Sequence, residues 1–228
     1  MLSGRQFGAL LEGAWITVQI FVFAAVLGTI LALIFGIMGL SEKRLLRAIS
    51  RVYVEVARGA SAIVLLFYAA FAIPIILGVR SGNTFVFVAG IIALGINMGG
   101  YGAEVVRTGI QSVPRGQTEA TIALNLRVRD RLRHVILPQA FVVMIPPYGN
   151  LSIEVLKGTA LVSLVGISDL TSEAQNLRVQ QAIQDNRTPS LVIFGTALVI
   201  YFIFSQVLAL FFRWLEKRIG GKWYGARG

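Results

Sequence analysis

The sequence predicts an all-α membrane protein with five transmembrane helices. Only 14% of its residues are charged and 56% are hydrophobic, whereas about a quarter of the residues in a soluble domain are charged. Uncharged runs are long: 21 residues lie between Arg58 and Arg80, and 25 lie between Arg187 and Arg213. About 20 helical residues cross the hydrocarbon core of a bilayer. The runs lack the alternation of barrel strands, so helices are favoured.

The five predicted spans follow these runs within a single membrane domain, residues 1–228. They lie at roughly 10–40, 52–78, 84–104, 137–166 and 189–213. The fourth run differs from the others because it contains Glu154 and Lys157 together with Pro138, Pro146 and Pro147. Proline removes a helical hydrogen bond, so we expect this span to be broken or kinked.

Charge asymmetry predicts the orientation of the chain. Sixteen lysines and arginines fall in the first loop, the third loop and the C-terminal tail, and four fall in the N-terminal end and the other two loops. Basic residues collect on the cytoplasmic side of a membrane protein. We therefore expect the N-terminus outside and the C-terminus in the cytoplasm. The net charge of +10 is thereby assigned to topology and not to the binding of nucleic acid.

The residue inventory excludes several kinds of site. The chain has no cysteine, which excludes disulfides, thiolate metal sites and cysteine nucleophiles. Its one histidine, His134, cannot form a histidine metal cluster. No G-x-x-x-x-G-K-[ST] motif occurs, so the chain lacks the phosphate loop through which many proteins bind ATP. We predict no metal site and no catalytic residue.

The third loop, residues 108–136, has the pattern of a structured hairpin. Pro114 precedes a helix that we expect to start near Gln117, and Asn125 follows this helix. Asparagine readily adopts the left-handed backbone geometry that ends many helices. A basic helical run, 128–137, comes next. The loop is thus predicted to be a helix–turn–helix at the membrane surface, with a small alanine face that a partner can approach closely.

Motifs in and around this hairpin resemble a known family. They are Glu119-Ala120-x-x-Ala123-Leu124-Asn125, Ile136-Leu137-Pro138-Gln139-Ala140 and, upstream, Gly102-Ala103-Glu104-x-x-Arg107-x-Gly109-Ile110-Gln111. The first two are similar to the EAA loop of binding-protein-dependent ABC importer permeases. The third looks like the version in polar amino-acid importers of the histidine, glutamine and arginine class. The resemblance covers nearly the whole chain.

The resemblance implies a mechanism and a set of partners. It implies a fold like that of type I ABC importers, in which the EAA segment forms a coupling helix seated in a separate ATPase subunit. The coupling residues that it implies are Glu119, Ala120, Ala123, Leu124 and Asn125. It also implies an ATPase dimer that binds ATP and Mg, a second permease chain, an extracytoplasmic solute-binding protein and a bacterial inner membrane. The chain itself would then be neither an enzyme nor a cofactor carrier.

The sequence departs from the family pattern at three places. Asn125 stands where the family has glycine, the segment 58–61 reads Arg-Gly-Ala-Ser in place of Arg-Gly-Thr-Pro, and the segment 157–160 reads Lys-Gly-Thr-Ala in place of Lys-Asp-Thr-Ser. Asparagine tolerates the backbone of glycine at some cost, so we expect coupling to survive. The other two segments help to line the pathway in such permeases. The predicted substrate is therefore a polar amino acid or a related zwitterion, with ectoine and hydroxyectoine as candidates.

Candidates for the substrate path are Glu154, Lys157, Arg58, Tyr68 and Asn97. Charges at membrane depth are costly, and a zwitterion needs both signs of charge nearby. Glu154 and Lys157 are also spaced to pair on one helix face, so they could instead form a self-neutralising structural pair. Arg58 could instead snorkel to the interface. Tyr68 and Asn97 could instead make interhelical hydrogen bonds.

Glu119, the spacing Gly95-x-x-x-Gly99 and the function of the chain each have two interpretations. Glu119 is either a coupling contact or a first-turn acid that complements the helix dipole. The spacing Gly95-x-x-x-Gly99 predicts close helix packing, within the chain or between two permease chains. An ATP-independent secondary transporter or channel is the second candidate function, although no inverted hydropathy repeat is visible.

Overall fold

The protein is described by a computed structural model that covers residues 3–80, 82–183 and 189–224. Over these ranges the chain is helical and has no strand. Its helices are α1 (Gly4–Met38), α2 (Arg44–Gly59), α3 (Ala62–Leu77), α4 (Asn83–Gln111), α5 (Arg115–Ala123), α6 (Val128–Val165), α7 (Leu170–Ile183) and α8 (Ser190–Tyr224). The all-α membrane fold predicted from composition and charge spacing is confirmed.

Four or five segments qualify as membrane spans in the described part of the chain. Helices α1, α4, α6 and α8 are each long and apolar enough to cross a bilayer, and α2 and α3 qualify only together, as a pair bent by 99°. The helix predicted at roughly 52–78 is interrupted, because α2 ends at Gly59 and α3 begins at Ala62. Ala60 and Ser61 have extended backbone, with ψ of 133° and 136°, and a helix cannot continue through that geometry. The break falls inside the segment 58–61, where the sequence departs from the family pattern.

The proline-containing fourth span, expected to be broken or kinked, is one continuous helix with irregular winding at two places. Residues Val128–Val165 form one candidate span of 38 residues, with Pro146 and Pro147 inside the helix. Two stretches of this span depart from α-helical winding: Leu132–Ile136 forms a π turn, and Thr159–Val165 forms a 3₁₀ helix. The π turn ends two residues before Pro138, and local adjustments of this kind re-satisfy backbone groups that proline leaves unpaired.

Two predicted boundaries move at the hairpin. The third span, predicted over 84–104, continues as α4 to Gln111. The basic run 128–137, predicted to be a surface helix, is the first part of α6. The hairpin between α4 and α6 therefore contains one separate short helix, α5.

Glycines bring α1 and α4 into close contact. A Cβ atom added to Gly28 of α1 would lie 2.8 Å from the Cβ of Met98 on α4, and one added to Gly95 would lie 2.8 Å from Leu27. Helices in lipid associate largely through such close packing. The packing predicted from Gly95-x-x-x-Gly99 is confirmed, and its partner is α1 of the same chain.

Helix α2 packs back onto α1 and α4. The Ser50 hydroxyl donates to the carbonyl of Phe35 (2.6 Å), and the Tyr53 hydroxyl donates to the carbonyl of Ile96 (3.0 Å). The Tyr53 ring also stacks on Phe35, with 3.8 Å between the ring centroids. These contacts fix α2 against both long helices at once.

A buried aspartate joins the short helix α7 to the bundle. The Asp169 carboxylate accepts hydrogen bonds from the backbone N–H groups of Thr171 (3.1 Å) and Ser172 (3.0 Å) and from the Tyr201 hydroxyl of α8 (3.3 Å). The Thr17 hydroxyl of α1 accepts from the first N–H of α7 (3.1 Å). The N–H groups at the start of α7 are thereby satisfied by Asp169, directly before the helix, and by Thr17 of α1, and the Tyr201 hydroxyl attaches the same carboxylate to α8.

Burial gives this junction a pH dependence. It raises the pKa of the Asp169 carboxyl above its ordinary value, while the hydrogen bonds from Ser172, Thr171 and Tyr201 oppose part of the rise. A raised pKa means that the folded chain binds the proton more tightly than the unfolded chain. The free energy of unfolding therefore falls as pH rises from the ordinary carboxyl pKa to the raised one.

We expect Gly28→Ala to lower the free energy of unfolding by about 1–3 kcal/mol, the usual cost of overpacking, because the new methyl group would push α1 away from α4. Thermal unfolding of the purified chain in detergent measures this. Gly195→Ala on α8 is the matched control, since no atom lies within 4 Å of the added Cβ there. Equal melting temperatures for the two variants would contradict the packing argument.

Asp169→Asn removes the titrating group and keeps an acceptor oxygen for the start of α7. We expect the wild-type chain to lose more stability than this variant over the window in which the pH rises above the ordinary carboxyl pKa of about 4, because only the wild-type side chain ionises there. Melting temperatures recorded across the window measure the difference. Glu119→Gln, at an exposed carboxyl, should follow the wild type. Parallel pH profiles for the wild type and Asp169→Asn would disprove the assignment.

Candidate functional site

The hairpin between α4 and α6 has a defined turn. Helix α5 ends in a Schellman motif, in which Leu126 N–H donates to the Thr121 carbonyl (3.0 Å) and Asn125 N–H donates to the Ile122 carbonyl (2.9 Å). Asn125 has a φ of 57°. The left-handed geometry predicted for Asn125 is confirmed, and it reverses the chain direction between α5 and α6.

The predicted coupling residues lie together on the surface of this hairpin. The exposed members are Glu119, Ala120, Ala123, Leu124 and Asn125. Among the side chains of this helix and its end, Ile122 exposes 56% of its surface and Leu124 exposes 73%, whereas Thr121 is buried. Contiguous apolar side chains on a short exposed helix are typical of a surface that binds another protein.

The start of α5 distinguishes the two interpretations of Glu119. The helix begins at Arg115, earlier than the expected Gln117, so Glu119 lies in its second turn. The helix dipole acts mainly within the first turn. Glu119 also makes no hydrogen bond or ion pair with the described residues. Its position therefore disfavours the role of a dipole-complementing acid and leaves its carboxylate free for a partner.

A cavity of about 680 Å³ lies between α6 and α8. Its polar lining consists of Lys157 from α6 and of Tyr201, Ser205 and Gln206 from α8, and the other lining residues are apolar. The Ser205 Oγ is buried and has no hydrogen-bond partner among the described residues, which is uncommon for a buried hydroxyl. Mostly apolar walls with a few convergent polar groups are typical of small-molecule sites.

The two charged residues of the fourth span do not pair. Lys157 lines the cavity between α6 and α8, and Glu154 lies exposed one turn earlier on α6. In the described part of the chain the ion pair is Arg107 with Glu104, and none joins Glu154 to Lys157. The self-neutralising structural pair is therefore absent from this structure, and both charges remain available.

The other three candidates lie elsewhere. Asn97 Nδ2 donates to the carbonyl of Ala57 (3.0 Å), and the Arg58 guanidinium lies 5.2 Å from the ring centroid of Tyr101. Asn97 thus makes an interhelical hydrogen bond. Tyr68 opens a π turn in α3 and is 55% exposed. No contact among the described residues gathers these three with the cavity between α6 and α8, so the five candidates do not form one site.

The polar residues that α8 contributes to the cavity were missed from the sequence. Tyr201, Ser205 and Gln206 sit in a long apolar run, where isolated polar residues predict interhelical hydrogen bonds. A signal was present in the spacing, because Tyr201 and Ser205 are four residues apart and share one helix face. That this face meets Lys157 depends on how α8 packs on α6, which local sequence does not specify.

Comparison with known proteins identifies the family. The model of the family described as "binding-protein-dependent transport system inner membrane component" matches residues 24–221. A probable amino-acid ABC transporter permease of Sinorhizobium fredii is 40% identical, with 96% of this chain and 90% of that protein covered. The L-cystine transport system permease of Bacillus subtilis is 34% identical over the same shares of the two chains.

Solved structures have the same fold. An amino acid ABC transporter crystallised with histidines aligns with a TM-score of 0.81 at 29% identity, covering 94% of this chain and 95% of that one. The MetNI methionine ABC transporter, in an inward-facing form, aligns with a TM-score of 0.76 at 20% identity, covering 96% and 99%. Sequence, fold and helix layout agree, and the chain belongs to the family of binding-protein-dependent transport system inner membrane components, as a multi-pass membrane protein.

Proposed function

We propose that this chain is the permease subunit of an ABC importer that carries a polar amino acid or a related zwitterion. The observation that carries the proposal is the extended similarity to amino-acid permeases, 40% identity over 96% of the chain in one case. Relatives named for L-cystine and glutamine transport favour an amino acid. Ectoine and hydroxyectoine remain candidates because the segments 58–61 and 157–160 depart from the family pattern.

The cavity between α6 and α8 has groups suited to a zwitterion. The Lys157 ammonium would bind a carboxylate, and charge-assisted hydrogen bonds of this kind are among the stronger ones. The hydroxyls of Tyr201 and Ser205 and the amide of Gln206 would bind further polar atoms. Glu154, one turn from Lys157, would attract the amino group as the substrate passes.

The hairpin between α4 and α6 is the proposed contact with the ATPase subunits. Helix α5 exposes Ile122 and Leu124 next to two alanines and Glu119, so a partner cleft could cover the apolar face and approach its backbone closely. The partner would be an ATPase dimer that binds ATP and Mg. Closure of that dimer would shift the permease between inward-open and outward-open states by binding one state better than the other.

The proposed membrane orientation follows the positive-inside rule. The hairpin and the basic C-terminal tail would face the cytoplasm, and the N-terminus and α7 would face outward in a bacterial inner membrane. A solute-binding protein would then deliver substrate on the outer side. Because five spans enclose a path poorly, a second permease chain, identical or different, would complete it.

Uptake assays test the substrate class. Proteoliposomes holding the complex purified through this chain should take up a polar amino acid or ectoine only when ATP and the loaded binding protein are both present. Glutamine, cystine and ectoine are compared as radiolabelled solutes. Uptake that persists without an ATPase would contradict the proposal and favour the secondary transporter or channel.

Lys157→Gln should lower uptake roughly tenfold or more, because a hydrogen bond to a charged group contributes about 1.5–3 kcal/mol. Glu154→Gln should also cut uptake and leave the complex assembled, because its negative charge complements the substrate's amino group. Arg5→Gln, at an exposed position on α1, is the control and should transport like the wild type. Unchanged uptake in both Lys157→Gln and Glu154→Gln would remove the substrate role of this region.

Leu124→Ser should weaken the association with the ATPase by about tenfold or more, as for a central apolar contact in an interface. The fold should be unaffected because Leu124 is already 73% exposed. Pull-down of the ATPase in detergent measures the effect. Ile183→Ser, with 78% exposure on α7, is the matched control. Equal ATPase recovery from both variants would argue against the hairpin as the docking surface.

A further inference from the structure

A second cavity, of about 520 Å³, lies at the end of the bundle that carries the hairpin. It is bounded by the connection after α1, by α2 and by the last turns of α4. Its charged lining consists of Arg47, Arg51, Arg58, Arg107, Glu55 and Glu104. None of these residues lines the cavity between α6 and α8, so the two sites are separate.

The charges in this second cavity do not balance. Four guanidinium groups face two carboxylates, and the ion pair formed among them in the described chain is Arg107 with Glu104. Arg47 makes a long hydrogen bond to the Ser41 carbonyl (3.4 Å), and Arg51 makes no hydrogen bond or ion pair with the described residues. The cavity therefore has positive charge that this chain does not neutralise.

The depth of the cavity corresponds to the headgroup region of a bilayer. Gly39 and Leu40, at the end of the uncharged run that follows Glu12 in α1, form one wall, and Glu104 and Arg107, the first charges after the uncharged part of α4, form another. A hydrocarbon core excludes such charges, so the boundary between lipid tails and headgroups lies here.

Helix α2 presents lipid-compatible surface beside the arginines. Its exposed apolar side chains recur at helical spacing and are Leu45, Ile49, Val52 and Val56, with 45–72% exposure. Arg47, Arg51 and Arg58 lie on a different face of the same helix and line the cavity. An amphipathic helix with arginines beside an apolar stripe is typical of a segment in the plane of the membrane interface.

We propose that this cavity binds the phosphate of an acidic phospholipid, such as phosphatidylglycerol or cardiolipin. Guanidinium groups match phosphate oxygens in two-point hydrogen bonds, and basic pockets between membrane helices hold anionic headgroups. The acyl chains lie along the apolar stripe of α2. One phosphate bound by Arg47 and Arg51 of α2 would lie beside the last turns of α4, just before the hairpin.

Native mass spectrometry of the purified chain tests this binding without any transport measurement. Dioleoylphosphatidylglycerol should be retained at lower concentration than dioleoylphosphatidylcholine. The double variant Arg47→Gln/Arg51→Gln should lose affinity for phosphatidylglycerol by roughly fivefold for each arginine, equivalent to about 1 kcal/mol per basic residue near an anionic headgroup. Arg129→Gln/Arg133→Gln, which removes two exposed arginines of α6 outside the cavity, should bind like the wild type.

A variant that should bind the lipid more tightly makes the test independent of misfolding, because a misfolded protein would lose affinity and not gain it. Glu55→Gln removes a negative charge from the cavity and should tighten binding of phosphatidylglycerol by a few fold. Equal retention of the two lipids by the wild type would overturn the proposal, as would unchanged retention by both cavity variants. Displacement of phosphatidylglycerol by millimolar inorganic phosphate would also overturn it, because the ligand would then be a free anion. If the wild-type complex retains phosphatidylglycerol but takes up none of the tested solutes, that result would count against the proposed transport function and not against the lipid site.

Discussion

The contact between α1 and α4 is the constraint on which the rest of this structure depends. In a bilayer the hydrophobic effect does not hold helices together, so close packing must do so. Glycines at positions 28 and 95 remove the side chains that would separate the two backbones. Helix α2 then packs on both members of the pair through Ser50 and Tyr53. Since α4 runs directly into the hairpin, the position of α5 relative to the bundle is inherited from this glycine contact.

Much of the fold could be predicted from local sequence, and the parts that could not have two causes. Uncharged run lengths predict the spans, Gly95-x-x-x-Gly99 predicts close packing, and Asn125 predicts its own left-handed backbone. Each of these predictions depends on one continuous stretch of sequence. The break at residues 60–61 was missed because Ala60 and Ser61 have no strong preference against helix. The Asp169 junction and the α8 side of the candidate substrate cavity were missed because they join residues far apart in sequence.

The polar groups of the chain divide between two regions with different electrostatic character. In the cavity between α6 and α8, one lysine and several neutral donors face mostly apolar walls, which suits a small molecule without net charge. In the cavity between α2 and α4, arginines outnumber carboxylates, which suits an anion. Because no residue lines both, substitutions in one leave the charge of the other unchanged. The solute selectivity and the lipid binding proposed for the two cavities could therefore vary independently.

The tight winding at the end of α6 has a mechanical consequence. Seven residues, Thr159–Val165, follow directly after the segment that carries Lys157, and they are wound as a 3₁₀ helix. Rewinding them from about 2.0 to about 1.5 Å of rise per residue would draw the two ends together by roughly 3.5 Å. The change from three to 3.6 residues per turn would also swivel one end against the other by roughly 140°. A change of winding in this segment would therefore both shorten it and rotate its two ends relative to each other.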